Sequence, residues 1–172
     1  ETDQELRDYC SRSANPVGRL LLHLYGVQDA LSRQRSDQIC TALQLINFWQ
    51  DVRVDVARDR WYPSREQMRR HGVQESDLQR DQPCAAAARM LAACTEDAVA
   101  LMHRGAPLAT QLPGRVGWEL RLVVQGGLRI AEKIRAMDHA TWRARPTLAK
   151  TDVPLLLWRA WRMPSNLTAG PA

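Results

Sequence analysis

Two carboxylates, those of Asp51 and Asp55, stand four residues apart in this chain. On an α-helix, side chains at this spacing lie one above the other on the same face. Two negative charges held there repel each other unless a cation lies between them. Mg²⁺ suits such a position, because it takes hard oxygen ligands and commonly links one or two carboxylates to a substrate phosphate. The spacing therefore indicates a magnesium site.

Two amide side chains extend the acidic pair into a polar stripe. Gln44 and Asn47 precede Asp51 by two turns and one turn of the predicted helix, and they share its face. A helix that is apolar on its other sides is usually buried. We therefore predict that the stripe faces a cavity that holds a metal ion and an anion. The apolar residues around the stripe are Ile39, Leu43, Leu45, Ile46, Trp49, Val52 and Val56.

The order of these residues is similar to a known motif. The string Gln-Leu-x-Asn-x-x-x-Asp-x-x-x-Asp, which starts at Gln44, is followed by Arg-x-Arg-x-Tyr-Pro from Arg58. Together they resemble the second aspartate-rich motif of squalene and phytoene synthases. The segment from Tyr9 to Arg19 resembles the Tyr-Cys segment of the same family. The resemblance covers about residues 9–163 and is strongest over 9–73.

The resemblance implies a fold and a set of site residues. The fold would be all-α, an isoprenoid-synthase-type helical bundle. Asp51 and Asp55, with Asn47, would hold Mg²⁺, and Tyr9 would line the cavity near the reacting carbons, so that Tyr9, Asp51 and Asp55 form the catalytic set. The residues that would bind the diphosphate are Gln44, Asn47, Arg58, Arg60 and Tyr62. Arg145 and Lys150 are further cations that could reach it.

The residues of both segments are most similar to those of the family branch that makes hydroxysqualene for bacterial hopanoids. That branch implies ionisation of presqualene diphosphate and capture of the cation by water. The alternative is head-to-head condensation of two farnesyl diphosphates, as in presqualene diphosphate, squalene or phytoene synthases. Trp49-Gln50 stands where phytoene synthases usually carry Leu-Arg, which argues against the carotenoid branch. An alternative from a different functional class is that the chain is an inactive helical fragment or a basic helical binding module.

Composition limits the partners. The chain has 172 residues, 45% hydrophobic and 25% charged, which is typical of a globular domain. Its net charge of +5 favours anionic substrates or lipid surfaces. The arginines are scattered and no nucleic-acid motif is visible, so we expect no nucleic-acid partner. With neither a signal peptide nor a bilayer-spanning run, we expect a cytoplasmic protein, with peripheral membrane contact as an open alternative.

Apolar residues recur at helical spacing throughout, and they predict a single domain over residues 1–164 with a disordered tail at 165–172. The motif helix is expected at about 37–57, capped by Ser36 or Asp37. Another long helix is expected at 115–137, where Gly126-Gly127 indicates close packing, a kink or room for a ligand. The upstream aspartate-rich motif of the family has no counterpart here. We therefore expect an incomplete bundle whose partner is the missing N-terminal segment.

Overall fold

The computed structural model describes residues 2–164, and every regular element within that range is a helix. This confirms the predicted all-α class. The predicted tail at 165–172 lies outside the described residues. A single 3₁₀ turn at Lys150–Asp152 precedes the last helix. The helices are α1 (Asp3–Ser13), α2 (Asn15–Leu24), α3 (Ala30–Gln50), α4 (Val52–Val56), α5 (Arg65–His71), α6 (Glu75–Gln79), α7 (Ala85–Gly105), α8 (Leu108–Gln111), α9 (Gly114–Ala136) and α10 (Val153–Trp161). No helix in this range is long and apolar enough to cross a membrane.

Helix α3 is the centre of the bundle. It packs most extensively against α7 and also contacts α1, α2 and α9. One side of α3 supplies the core, because its apolar residues recur every three or four positions and are almost fully buried. The other side carries the polar stripe. The core residues of α3 and α7 include Ile39, Ala42, Leu45, Ile46, Trp49, Met90, Leu91, Ala98 and Met102.

The predicted limits of the motif helix are wrong at its start. Helix α3 begins seven residues before Asp37, at Ala30, because the Asp29 carboxylate accepts a hydrogen bond from the Ser32 N–H at 2.8 Å. Ser36, predicted as a cap, is buried one turn before Cys40 and packs against Gly18 of α2. The prediction mistook a side chain that packs between two helices for one that caps the start of a helix.

The glycine pair does not interrupt the second long helix. Helix α9 runs unbroken from Gly114 to Ala136. A Cβ atom on Gly127 would stand 2.9 Å from Leu43 and 3.0 Å from Met102, so Gly127 lets α9 approach α3 and α7 closely. Of the three readings open from the sequence, close packing is the one observed.

A buried carboxylate fastens α10 to α9. Asp152, with its side chain 4% exposed, lies 2.8 Å from Arg129 Nε and 2.9 Å from Lys133 Nζ. It also accepts a hydrogen bond from the Ala149 N–H at 2.7 Å. These donors hold the pKa of the Asp152 carboxyl well below its usual range, the backbone bond contributing most.

We expect Gly105→Ala to destabilise the protein by about 1–3 kcal/mol, because an added Cβ would lie 2.7 Å from the Arg35 carbonyl oxygen and 2.7 Å from Ile39. Gly126→Ala is the matched control. Its Cβ would meet only Leu148, at 3.8 Å, so the higher helix propensity of alanine should stabilise the fold slightly. Urea unfolding of both variants measures the difference. Equal stability of the two would contradict the close approach of α7 to α3.

We expect Asp152→Asn to destabilise the protein at neutral pH and to matter less in acid. The folded-state pKa is depressed, so the ionised carboxylate contributes stability above its unfolded pKa of about 4, and this is lost as the pH falls below that value. Urea unfolding at pH 7 and pH 3 tests this. Asp8→Asn, which removes the exposed pair with Arg12, is a control with little effect at either pH.

Candidate functional site

The polar stripe lies at the C-terminal end of α3 and survives an interruption of the helix there. Asp51 falls between α3 and α4, with φ −101° and ψ 12°. The Asp51 N–H still donates to the Asn47 carbonyl at 3.0 Å, and the Asp55 N–H donates to the Asp51 carbonyl at 2.8 Å. These bonds keep one residue of the stripe on each turn. The predicted i, i+4 relation between the two carboxylates therefore holds, although the continuous helix to residue 57 was wrong.

The interruption has a tertiary cause. In an unbroken helix the Arg53 N–H would bond to the carbonyl of Trp49, but here it donates to the Thr141 carbonyl at 3.3 Å. The Arg53 guanidinium donates to the Arg143 carbonyl, and Gln50 Nε2 donates to the Pro146 carbonyl at 2.7 Å. The segment that carries the carboxylates thus binds the loop between α9 and α10 through its other side.

This loop delivers a guanidinium to the first carboxylate. Arg145 Nε donates to Asp51 Oδ1, and Arg145 Nη2 donates to Asp51 Oδ2 at 3.3 Å. The Asp51 side chain is 18% exposed. A two-point pair of this kind is strong and directional. The charge and hydrogen bond of Asp51 raise the pKa of Arg145.

The second carboxylate has no such partner. The Asp55 side chain forms no ion pair or side-chain hydrogen bond with any residue in the range 2–164. Burial raises the pKa of the Asp55 carboxyl, and the negative charge of Asp51 raises it further, against the pull of the neighbouring guanidinium groups. Two carboxylates, one half-buried and unpaired, form a site whose chemistry fits a hard divalent cation. No group of three or more His, Cys, Asp or Glu side chains in the described part of the chain is placed to hold a metal.

A tight turn brings two more arginines back toward Asp55. The Arg58 and Arg60 N–H groups both donate to the Asp55 carbonyl at 2.9 Å, and the intervening Asp59 has a positive φ of 57°. Both side chains are exposed, and neither forms an ion pair within residues 2–164. Their charges lower the pKa of Asp55, which places them close to it. Unpaired guanidinium groups beside a carboxylate pair can donate to a diphosphate.

Three aromatic rings from α1, α3 and the segment after α4 form one cluster. Phe48 stacks on Tyr62 with centroids 3.7 Å apart and an interplanar angle of 11°. Tyr9, half-exposed on α1, lies 6.1 Å from Phe48 and 6.4 Å from Tyr62. Burial raises the pKa of Tyr62, and Tyr9 and Asp55 add to the effect. The structure therefore brings the two predicted tyrosines together in one aromatic cluster, and the charge of Asp55 acts on Tyr62.

The two amides of the stripe are available for a ligand. Asn47 is exposed and Gln44 is half-buried, and neither side chain bonds to another side chain or backbone group among the residues described. They can donate to phosphate oxygens or to metal-bound water without adding charge. Lys150, by contrast, forms no contact with Asp51 or Asp55 in the described chain.

An apolar groove lies toward the start of α3 from the stripe. Cys40 lies one turn before Gln44 on the same face, and it lines a groove of about 300 Å³ between α2, α3 and α9. Asp51 and Cys40 are eleven residues apart, or about 16 Å along the axis. The walls are almost entirely hydrocarbon. They include Val17, Leu21, Tyr25, Leu43, Leu112, Val116, Leu120 and Val123.

Sequence reasoning missed the residues that position the loop. Gln50 and Arg53 have no local signal for this role, because their partners lie far away in the chain. Trp49 and Leu45, two of the apolar residues around the stripe, lie in the core between α3 and its neighbours. Arg145 was named only as a cation that could reach the phosphate.

Comparisons with known proteins give the family. The profile of the squalene/phytoene synthase family matches residues 1–156. The hydroxysqualene synthase of Sinorhizobium fredii is 34% identical over 145 residues, which cover 80% of this chain and 46% of the relative. The phytoene synthase of Thermus thermophilus is 30% identical over 161 residues, or 93% of this chain and 55% of the relative.

A solved structure agrees with the fold. Squalene synthase HpnC from Alicyclobacillus acidocaldarius matches with a TM-score of 0.77 and 35% identity, covering 81% of this chain and 53% of that one. The predicted isoprenoid-synthase helical fold is thereby confirmed, and the chain spans about half the length of the relatives it matches. From the profile match over residues 1–156, together with these likenesses, the chain belongs to the squalene/phytoene synthase family.

Proposed function

We propose that this chain carries the second acidic half of a magnesium-dependent site for prenyl diphosphates in squalene or hopanoid synthesis. The observation that supports this most directly is the pair of carboxylates, Asp51 and Asp55, on the same helix as unpaired amide groups and followed by two unpaired guanidinium groups, with an apolar groove toward the start of that helix. A diphosphate joined to a long hydrocarbon has the complementary chemistry. Because the chain spans about half of its relatives, the proposal concerns the part of the site that these residues form.

The chemistry of the leaving group follows from the charges. Bound Mg²⁺ would supply Lewis-acid neutralisation of the phosphate oxygens, held by Asp51 and Asp55 with Asn47 beside them. Arg58 and Arg60 donate hydrogen bonds to the same oxygens as negative charge develops there. The C–O bond of the substrate then breaks, and its electron pair leaves with the diphosphate.

The aromatic rings serve the other product of that cleavage. The carbocation left behind is stabilised by the negative faces of aromatic rings, which Tyr9, Phe48 and Tyr62 supply. The groove walls exclude water from the rest of the chain. In the reaction that we favour, the cation from presqualene diphosphate rearranges, water adds to it, and one proton is released, giving hydroxysqualene.

The favoured reaction rests on two supports. The sequence resembles the hydroxysqualene branch, and two of the matched relatives are hydroxysqualene synthases. The second candidate is condensation of two farnesyl diphosphates, which the similarity to phytoene synthases supports. Incubation with each substrate and Mg²⁺, followed by mass spectrometry of the lipid products, separates the two. Release of hydroxysqualene from presqualene diphosphate supports the first, whereas conversion of farnesyl diphosphate alone supports the second.

Substitution of the two carboxylates should have opposite effects on the metal-free protein. Asp55→Asn removes a charge that burial and Asp51 disfavour, so we expect its Tm at pH 7 to rise by about 1–3 °C. Asp51→Asn leaves Arg145 without its partner and should lower the Tm. Thermal unfolding by circular dichroism measures both.

The same two variants should lose binding of the substrate. At a hundredfold excess over its Kd, farnesyl diphosphate with Mg²⁺ should stabilise the parent by roughly 2.7 kcal/mol, or about 5–10 °C. Either substitution should remove this shift. Asp59→Asn is the control, since Asp59 is an exposed carboxylate on the next turn and asparagine tolerates its positive φ. A full ligand shift in Asp55→Asn would refute the metal assignment.

The groove can be tested separately from the phosphate end. Leu21 lines the groove, so Leu21→Gln should weaken farnesyl diphosphate binding about fivefold and leave inorganic diphosphate binding unchanged. Leu20→Gln is the matched control, because Leu20 is also at least half exposed on α2 but does not line the groove. Titration calorimetry with Mg²⁺ gives both affinities. If the two variants bound alike, the hydrocarbon would lie elsewhere.

A further inference from the structure

The outer face of α10 is apolar and open to solvent. Val153, Leu157 and Trp161 recur every four residues and so lie along one side of the helix, with Trp158 beside them. Trp158 is 52% exposed and Trp161 is 71% exposed. We call these four residues the tryptophan face. Two tryptophans exposed side by side on one helix form a large apolar surface, of a kind that commonly marks an interaction site.

The opposite side of α10 is firmly held, which fixes the direction of the tryptophan face. Ala160 is fully buried against the bundle. Arg159 Nη1 donates to Glu132 of α9 at 2.5 Å, and Asp152 at the start of the helix is bound by α9 as described above. The face is therefore presented outward by a rigid ionic anchor.

The charges around the tryptophan face are positive. The segment 143–164 has five basic residues and one acidic residue. That acidic residue, Asp152, is buried and paired, so the surface there carries no exposed carboxylate of its own segment. Lys150 and Arg162 are exposed and form no ion pair within residues 2–164. The Arg162 guanidinium lies 5.3 Å from the centre of the Trp158 ring.

The other exposed apolar helix, α2, differs in charge. Its residues Leu20 and Leu24 are more than half exposed, but the cation that precedes them on the helix, Arg19, is neutralised by a two-point pair with Asp37. The cations that flank α10, Lys150 and Arg162, form no ion pair among residues 2–164. Charge complementarity therefore distinguishes the two surfaces.

We propose that the tryptophan face docks on an anionic lipid surface. Tryptophan favours the boundary between headgroups and acyl chains, where its ring is buried and its N–H remains hydrated. Lys150 and Arg162 would lie at the level of the acidic headgroups and be attracted to them. With nine residues, α10 is about 14 Å long and lies on the membrane rather than across it. The docking does not depend on the chemistry proposed for Asp51 and Asp55.

Co-sedimentation with vesicles tests the proposal. We expect the chain to bind vesicles of phosphatidylcholine with phosphatidylglycerol, to bind pure phosphatidylcholine more weakly, and to be released by salt. Trp158→Ser combined with Trp161→Ser should lower the partition coefficient about tenfold. Leu20→Ser combined with Leu24→Ser is the matched control and should bind as the parent does. Lys150→Gln with Arg162→Gln should reduce the salt dependence.

A second measurement reports where the rings lie. Brominated acyl chains should quench the tryptophan fluorescence of the parent and not that of the Trp158→Ser, Trp161→Ser variant, in which the remaining tryptophans are Trp49, Trp61, Trp118 and Trp142. Circular dichroism confirms that each variant is folded, which is expected because the substituted side chains are exposed.

Three outcomes would overturn the proposal. The first is that neither vesicle type is bound, and the second is equal loss of binding in the two serine pairs. The third is concentration-dependent association of the parent in the ultracentrifuge, abolished by the tryptophan substitutions and without lipid binding, which would assign the face to a second copy of the chain. Diphosphate-dependent stabilisation, measured without vesicles, is independent of all three, so this proposal and the one for the carboxylate site fail separately.

Discussion

The mutual repulsion of two carboxylates is the constraint on which the candidate site depends. Helical backbone bonds hold the Cα atoms of Asp51 and Asp55 one turn apart, on the same face. Arg145 neutralises the first, while the second is half-buried without a partner and its pKa is raised. The fold therefore keeps an unfavourable charge at one point. Relief by a divalent cation would convert that unfavourable energy into ligand affinity, as expected when stability is given up at a functional site.

The segment that holds the carboxylates also determines which cation reaches them. Gln50 and Arg53 alternate with Asp51 and Asp55 along the chain and point the other way, toward the loop between α9 and α10. Their bonds to backbone carbonyls fix that loop regardless of its side chains. Arg145 is thus carried to Asp51 by contacts made on the far side of the same short segment. As a consequence α3 is interrupted at Asp51, because the Arg53 N–H donates to the Thr141 carbonyl of the loop and not to a carbonyl within the helix.

Two exposed apolar regions have different electrostatic surroundings, and the difference suggests different partners. The groove between α2, α3 and α9 has apolar walls on the helix that carries the polar stripe and suits a hydrocarbon tethered to a diphosphate. The tryptophan face has unpaired cations at its edge and suits an extended anionic surface. The loop that carries Arg145 leads directly into α10, so a short length of chain joins the carboxylate site to the tryptophan face.

The sequence by itself determined what depends on neighbours along the chain. Helical periodicity predicted the all-α class, and the spacing of Asp51 and Asp55 predicted their common face, because i, i+4 geometry is local and persists even through the break. The resemblance of the Arg-x-Arg-x-Tyr string to the family motif implied that Arg60 belongs to the same site. Tertiary structure alone decided the start and interruption of α3, the core position of Trp49 and the approach of Arg145. These depend on hydrogen bonds and packing between residues far apart in sequence, such as the pair of Asp51 and Arg145 at a separation of 94 residues, and no local pattern encodes such pairings.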